Sequence, residues 1–230
     1  MQESADKKKQ EQEQIVELGS DITKSKRGNI YTLTIIGQVE GHMIAPETVK
    51  TTKYEHVLPL LAGIEESDDI DGLLLLLNTV GGDIEAGLAI AEMIAGMRKP
   101  TVSLVLGGGH SIGIPLAASA QYSLIVPSAT MTLHPVRING TVLGVPQSFR
   151  YMSEMQNRIV GFICAHSKAK REQIEELMLR PDQIATDCGT ILEGEEAVRC
   201  GIVDEVGGLS RALEVLRSLS SEQKNFSKHR

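Results

Sequence analysis

Leu106-Gly107-Gly108-Gly109-His110-Ser111-Ile112-Gly113 is the stretch that decides the fold, because it joins an apolar run to a small-residue segment through a glycine-rich turn. The turn presents Ser111 at the start of a predicted helix, and His134 follows the apolar run Met131 to Leu133 further along the chain. A serine hydroxyl becomes an effective nucleophile when an adjacent imidazole takes its proton, so this pair predicts acyl-transfer chemistry. The glycines of Asn78-Thr79-Val80-Gly81-Gly82 can offer backbone N–H groups to a developing oxyanion. A hydrolase is the leading interpretation.

Strands and helices alternate on both sides of this stretch. The continuous apolar run Gly72 to Asn78 is typical of a central strand covered on both faces. Apolar residues recur at helical spacing in 54–65 and 85–97. Further strands are predicted at 29–37, 102–106, 124–126, 131–133 and 202–204, and further helices at 113–120, 147–167, 171–179 and 197–201. This order predicts an α/β layered fold with parallel strand pairing.

The length of 230 residues is compatible with one α/β domain and short appendages. Residues 1–27 are rich in Gln, Glu, Lys and Ser, which predicts a charged, solvated or disordered arm. The predicted domain occupies residues 28–216, and residues 217–230 read as a polar C-terminal tail.

Charge and cysteine content exclude several classes of protein. A net charge of −7 argues against a nucleic-acid surface, which needs basic residues to neutralise phosphates. The three cysteines are widely spaced and form no zinc-binding pattern or disulfide framework. Residues 100–136 carry no Asp, Glu, Lys or Arg, but glycines and prolines interrupt them, so we expect a buried strand–turn–helix–strand and no transmembrane segment. The N-terminus lacks an apolar segment, so no secretory signal is expected and the predicted location is cytoplasmic.

Four blocks of the sequence together resemble the ClpP-type serine peptidases, with matching order and approximate spacing. The blocks are Asn78-Thr79-Val80-Gly81-Gly82, Gly109-His110-Ser111-Ile112-Gly113, Thr132-Leu133-His134-Pro135 and Gly194 to Asp204. The resemblance covers roughly residues 29–206, and it is strongest to the translocation-enhancing branch of the family. It implies a ClpP/crotonase fold of stacked βαβ units, a homo-oligomeric ring, and a protruding handle helix at residues 147–167.

The resemblance also implies roles for individual residues. Ser111 would be the nucleophile, and His134 the general base that later protonates the leaving amine. The N–H groups of Gly81 and Ile112 would form the oxyanion hole, and Gly82 would keep the turn open to substrate. A Gly-Gly turn suits this role, because backbone amides can approach a substrate with no Cβ in the way. His110, although it neighbours Ser111, is given no role.

The resemblance further implies a peptide or unfolded polypeptide as substrate. The segment around Asn139, Gly140 and Thr141 could bind this substrate, or stabilise ring contacts, by strand addition. No metal or organic cofactor is expected. Since the chain contains no G-x-x-x-x-G-K-[ST] motif, any ATP dependence would come from a separate unfoldase. A link to protein export rests on the branch resemblance alone.

The catalytic acid is where the sequence departs from the family pattern. Ungapped alignment puts Gly189 where the family has its aspartate, and Asp187 lies two residues earlier. Loss of an orienting acid can cost about 10⁴ in rate. Asp187 therefore either completes a triad or is an ordinary loop carboxylate.

Two other classes of protein stay open. The first is a ring-forming assembly protein that has lost the chemistry, which Gly189 favours. The second is a crotonase-type acyl-CoA enzyme, since that fold uses a similar glycine-rich turn. Such an enzyme needs acidic residues near the acyl chain, and residues 100–136 contain none. A serine–lysine site, with the base at Lys168 or Lys170, would leave His134 unexplained.

Overall fold

The computed structural model describes residues 20–137, 144–181 and 188–228. The strands in these ranges are β1 Ser20–Thr23, β2 Ile30–Glu40, β3 Thr51–Lys53, β4 Gly72–Gly82, β5 Thr101–Gly109, β6 Tyr122–Ile125, β7 Thr130–Leu133, β8 Thr190–Glu193 and β9 Glu205–Val206. The helices are α1 Tyr54–Glu66, α2 Ile84–Ala95, α3 Gly113–Ala118, α4 Val145–His166, α5 Arg171–Leu179, α6 Gly194–Arg199 and α7 Leu209–Lys228. Within these ranges, none of the helices combines the length and the apolar character that a membrane span requires.

The main sheet has the strand order β1-β2-β4-β5-β6-β9. Its pairs from β2 to β9 are parallel, and β1 pairs antiparallel with β2 at one edge. Helices α1, α2 and α3 connect successive parallel strands, as crossovers between parallel strands require. The carboxyl ends of β4 and β5 therefore meet at one edge of the sheet, where the two glycine-rich segments of the sequence come together. Strand β7 pairs with β8 beyond this edge.

The leucine run of β4 is buried on both faces, which explains its lack of polar alternation. Leu73, Leu75 and Leu77 pack in the larger core cluster, with residues of α1 and α2. Leu74 belongs to a second cluster on the other face, together with Leu216 of α7. Two covered faces are typical of a parallel sheet, so the prediction of a central strand is confirmed.

The C-terminal helix extends through most of the segment assigned from sequence to a polar tail. Its residue Leu216 is fully buried against the sheet. Farther along, the Ser220 hydroxyl donates to the backbone oxygen of Asp71, and Lys224 pairs with the Asp71 carboxylate at 2.6 Å. The segment is polar because only one side of α7 contacts the sheet, and polarity on the other side does not prevent helix formation.

Other bounds differ from the sequence expectations for local reasons. Ser20–Thr23, inside the segment predicted as an arm, forms β1 by pairing with β2. The last strand is Glu205–Val206 and not 202–204, since Ile202 and Val203 are buried in a turn. Helix α6 begins three residues early at Gly194, because Glu193 and Glu196 form a capping box there.

Candidate active site

Ser111 lies on a strained turn between β5 and α3. Its φ of 57° is the one positive value found outside glycine among the residues that the structure describes. Three hydrogen bonds hold the turn: the Ser111 N–H donates to the Thr132 oxygen at 2.9 Å, the Gly113 N–H to the His110 oxygen at 2.9 Å, and the Ile114 N–H to the Ser111 oxygen at 3.0 Å. A non-glycine residue in this region costs about 1–3 kcal/mol and is often found at functional sites. The turn presents the Ser111 hydroxyl to the cleft beside it.

His134 follows β7 directly and lines the same cleft as Ser111. Its Nδ1 lies 2.7 Å from the carbonyl oxygen of Pro135. Since a carbonyl can only accept a hydrogen bond, Nδ1 carries the hydrogen and Nε2 of the neutral ring keeps its lone pair. This is the tautomer that a general base needs for accepting a proton through Nε2. Ser111 and His134 make no direct hydrogen bond in the described chain; such bonds are often longer before substrate binds.

The cleft beside these two residues has a volume of about 120 Å³. Its apolar lining comes from the residues Ile84, Ile114, Leu133, Ile159, Ile163 and Met178. The polar lining includes Ser111, Thr132 and His134. A mostly apolar cleft with a few polar groups is typical of a site that binds an apolar side chain and orients it.

Gly81 brings the backbone of β4 against the serine. Its φ is 95°, and a Cβ placed there would lie 2.7 Å from the Cβ of Ser111. Gly82 has a φ of 152°, and a Cβ on it would overlap the backbone of Val39 on β2. Both positions therefore require glycine, for conformation as well as for space. The sequence expectation of a close backbone approach at Gly81-Gly82 agrees with this geometry.

The two N–H groups expected to bind an oxyanion differ in their partners. The Ile112 N–H donates to no acceptor within the described part of the chain, although Ile112 itself is buried. The Gly81 N–H donates to the Thr79 hydroxyl at 3.1 Å, and that hydroxyl in turn donates to the Gly37 oxygen at 2.6 Å. A buried N–H without an acceptor is unusual and is explained if a bound group completes it. The Ile112 N–H is therefore available to an added acceptor. The Gly81 N–H would have to break its hydrogen bond to the Thr79 hydroxyl, or share its hydrogen between that hydroxyl and the new acceptor.

Gly87 of α2 controls the position of Ile112. A Cβ on Gly87 would overlap the Cγ1 of Ile112, so the helix lies closely against this side chain. If the Ile112 N–H binds the oxyanion as expected from the sequence, Gly87→Ala should displace it and lower kcat about 10-fold or more, because small shifts of such a donor are costly. Peptidase assays of the purified variant measure the effect. Ala89→Gly on the same helix is the control for altered helix propensity, and equal losses in both variants would contradict the assignment.

Several residues singled out from the sequence fall outside the described residues. These are Asp187, Asn139, Gly140 and Thr141. Gly189 is described: its φ is 143°, and its N–H donates to the Arg180 oxygen at 2.8 Å. Glycine suits this backbone conformation and aspartate does not, so the residue has a conformational reason to be glycine.

Sequence reasoning missed the pairing of His110 with Thr132. The His110 Nδ1 lies 2.8 Å from the Thr132 hydroxyl, although His110 was expected to have no role. The alternation of β7 held a signal, since Met131 and Leu133 are buried and Thr132 faces the opposite side, toward the serine turn. In the described ranges, no group of three or more His, Cys, Asp or Glu residues could hold a metal ion.

Comparison with known proteins agrees with this geometry. The family model "Clp protease" matches residues 12–209. The chain belongs to the Clp protease family. This confirms the α/β fold of the ClpP/crotonase type that was expected from the resemblance. The Clp protease family is a family of serine peptidases. Members of the Clp protease family typically form oligomeric rings.

Individual relatives place the chain within the Clp protease family. It is 51% identical over 212 residues to the translocation-enhancing protein TepA of Halalkalibacterium halodurans, covering 92% of this chain and 83% of that protein. It is 23% identical over 163 residues to ATP-dependent Clp protease proteolytic subunit 1 of Protochlamydia amoebophila, covering 70% and 77%. The corresponding subunit of Chlamydia abortus is 25% identical over 140 residues, covering 58% and 69%. The branch expected from the resemblance, that of TepA-like proteins, is thereby confirmed.

Proposed function

We propose that this protein is a serine endopeptidase that cleaves short or unfolded polypeptides through an acyl-enzyme on Ser111. The observation that carries the proposal is the strained backbone of Ser111, which faces the glycine turn of β4 in a cleft shared with His134. Membership of the Clp protease family supports the same reaction class.

The proposed reaction uses the tautomer of His134 that is inferred from its contact with the Pro135 carbonyl. As the Ser111 Oγ attacks the peptide carbonyl carbon, its proton passes to His134 Nε2 and a tetrahedral oxyanion forms. The Ile112 N–H stabilises the oxyanion, and the Gly81 N–H joins it by turning from the Thr79 hydroxyl. The C–N bond then breaks, and the imidazolium gives its proton to the leaving amine. Water repeats the sequence in reverse on the acyl-enzyme and frees Ser111.

The group that orients His134 has two candidates. The Pro135 carbonyl already accepts from Nδ1 at 2.7 Å, and this contact by itself selects the required tautomer. Asp187 is the carboxylate that the sequence offers, and we propose that it supports the imidazolium when His134 is charged. A carbonyl dipole stabilises a positive charge less than a carboxylate does, so the two groups differ in their expected effect on rate.

Substrate is proposed to enter with an apolar side chain in the cleft lined by Ile114, Ile159 and Ile163. The segment containing Asn139, Gly140 and Thr141 would hold the peptide backbone by strand addition. We also propose that the protein assembles into a ring, receives unfolded substrate from a separate ATP-driven unfoldase, and is located in the cytoplasm. A link to protein export follows only from the name of the relative in Halalkalibacterium halodurans.

A second candidate function is a ring-forming assembly protein without peptidase activity. Two observations favour it: Gly189 stands at the aligned position of the acid, and Ser111 makes no direct hydrogen bond to His134 among the described residues. No observation specifically favours an acyl-CoA enzyme. Reactivity of Ser111 therefore separates the two candidates.

Labelling with a fluorophosphonate probe tests the proposal. The wild type should be labelled, Ser111→Ala should not, and Asp187→Asn should be labelled more slowly. A decrease of about 10⁴ in the rate for Asp187→Asn would identify Asp187 as the orienting acid, and a decrease below about 10-fold would assign that role to the Pro135 carbonyl. A folded, assembled wild type that is not labelled would overturn the peptidase function and favour the assembly protein. Gly189→Asp is a poor substitute, because its φ of 143° disfavours aspartate.

A further inference from the structure

We propose that His110 is a positioning residue, which holds the strand leading to His134 against the turn that carries Ser111. It does so through Thr132 of β7. The effect on catalysis rests on the proposed function, whereas the effect on geometry does not.

Thr132 is bonded by two consecutive residues of the serine turn. Its backbone oxygen accepts from the Ser111 N–H at 2.9 Å, and its hydroxyl lies 2.8 Å from the His110 Nδ1. Thr132 is followed two residues later by His134, which makes the connection between β7 and the base short. A displacement of Thr132 from the turn would therefore change the separation between Ser111 and His134.

The packing around His110 fixes its ring. The His110 N–H donates to the Thr79 oxygen at 3.2 Å, which anchors the residue on β4. A Cβ on Gly108 would lie 2.6 Å from the His110 Nε2, so the ring occupies the space that this glycine leaves open. Gly108 is thus required for placing the ring of His110. The glycine-rich segment before Ser111 therefore makes room for this ring as well as forming the end of β5.

The charge state of His110 suits a structural hydrogen bond. Burial lowers the pKa of His110, and a positive charge on His134 lowers that pKa further. His110 bonds to Thr79 of β4 and to Thr132 of β7, and neither threonine ionises near neutral pH. Among the described residues, His134 is the titratable group whose charge acts on the pKa of His110. His110 therefore stays neutral while His134 takes the serine proton, and the two imidazoles do not compete for it.

The test compares substitutions that remove the hydroxyl with one that keeps it. Thr132→Val should lower kcat about 10- to 100-fold with KM within about twofold, because the defect is in the geometry of the catalytic pair. Thr132→Ser should restore most of the rate. His110→Ala should resemble Thr132→Val, and the double variant should be no slower than either single one, as expected for two halves of one contact. Thr130→Val, on the same strand and face, is the matched control, since its hydroxyl bonds no residue of the described chain.

If the wild type is active, either of two kinetic outcomes overturns the proposal: Thr132→Val within about twofold of the wild-type kcat, or Thr132→Ser as slow as Thr132→Val. Failure of the proposed function is recognised separately, by an unlabelled wild type. In that case the imidazole signals of His110 and His134 are followed by NMR against pH in Ser111→Ala. Thr132→Val should shift both signals and Thr132→Ser should not. Signals of His134 that are unchanged in Thr132→Val would reject the positioning role without any activity measurement.

Discussion

Ser111→Ala and His134→Ala are each expected to lower kcat about 10⁶-fold, and the double variant no further, since nucleophile and base act as one unit. Without the hydroxyl no acyl-enzyme can form, and without the imidazole the hydroxyl keeps its proton. The residual rate over water would come from the Ile112 N–H and the apolar cleft, which neither substitution removes. Hydrolysis of a fluorogenic peptide with an apolar side chain at the cleavage site measures all three variants.

Two matched controls are available on helices away from the catalytic pair, a half-buried serine and an exposed histidine. Ser153→Ala lies on α4 and His56→Ala on α1, both outside the cleft. Each should retain wild-type kcat and melting temperature. If Ser111→Ala keeps more than about a thousandth of the wild-type rate, the hydrolysis does not pass through this serine. If the losses of the two single variants multiply in the double variant, the residues act independently and the pair is not a catalytic unit.

Gly81→Ala is expected to have the second largest effect, lowering kcat at least 10²- to 10³-fold, as the loss of an oxyanion donor does. Its Cβ would lie 2.7 Å from the Ser111 Cβ and 3.0 Å from the His110 oxygen, so the serine turn has to move. The φ of 95° adds strain that an alanine cannot relieve. Kinetics and thermal melting of the same preparation separate loss of the site from loss of the fold.

Gly63→Ala is the matched control for that substitution. A Cβ at Gly63 meets nothing within 4 Å, and the residue lies in the interior of α1. Alanine there should stabilise the helix by about 0.5–1 kcal/mol and leave kcat unchanged. A Gly81→Ala protein that folds and keeps more than a tenth of the wild-type rate would show that β4 does not contribute to the oxyanion site.

Most of the fold could be predicted because the signals are local. The leucine run of β4 and the helical spacing of α1 each follow from a few neighbouring residues. The strand at Glu205–Val206 could not be placed, since Ile202 and Val203 are apolar yet buried in a turn. Helix α7 was missed because the second face of the sheet that it covers is a tertiary feature, which composition does not reveal.

In the candidate site, too, some features follow from local sequence and others depend on tertiary structure. Ser111 and His134 were predicted through motifs, and both residues line the same cleft. The bond of the Gly81 N–H to Thr79 and the contact of His110 with Thr132 depend on how β4, β5 and β7 meet. Sheet register of this kind joins residues far apart in sequence, and a single sequence shows it only when a family pattern is already known.

The left-handed backbone at Ser111 has a consequence for how this chain can evolve. Glycine would adopt a φ of 57° at no steric cost, whereas an L-residue there costs about 1–3 kcal/mol. Drift toward thermal robustness would therefore favour glycine at residue 111, and only selection for the hydroxyl opposes it. In a lineage that lost the peptidase activity but kept the assembly, we expect glycine to replace this serine early, because the replacement would stabilise the fold. Under the proposed function, selection for the Ser111 hydroxyl offsets this conformational cost.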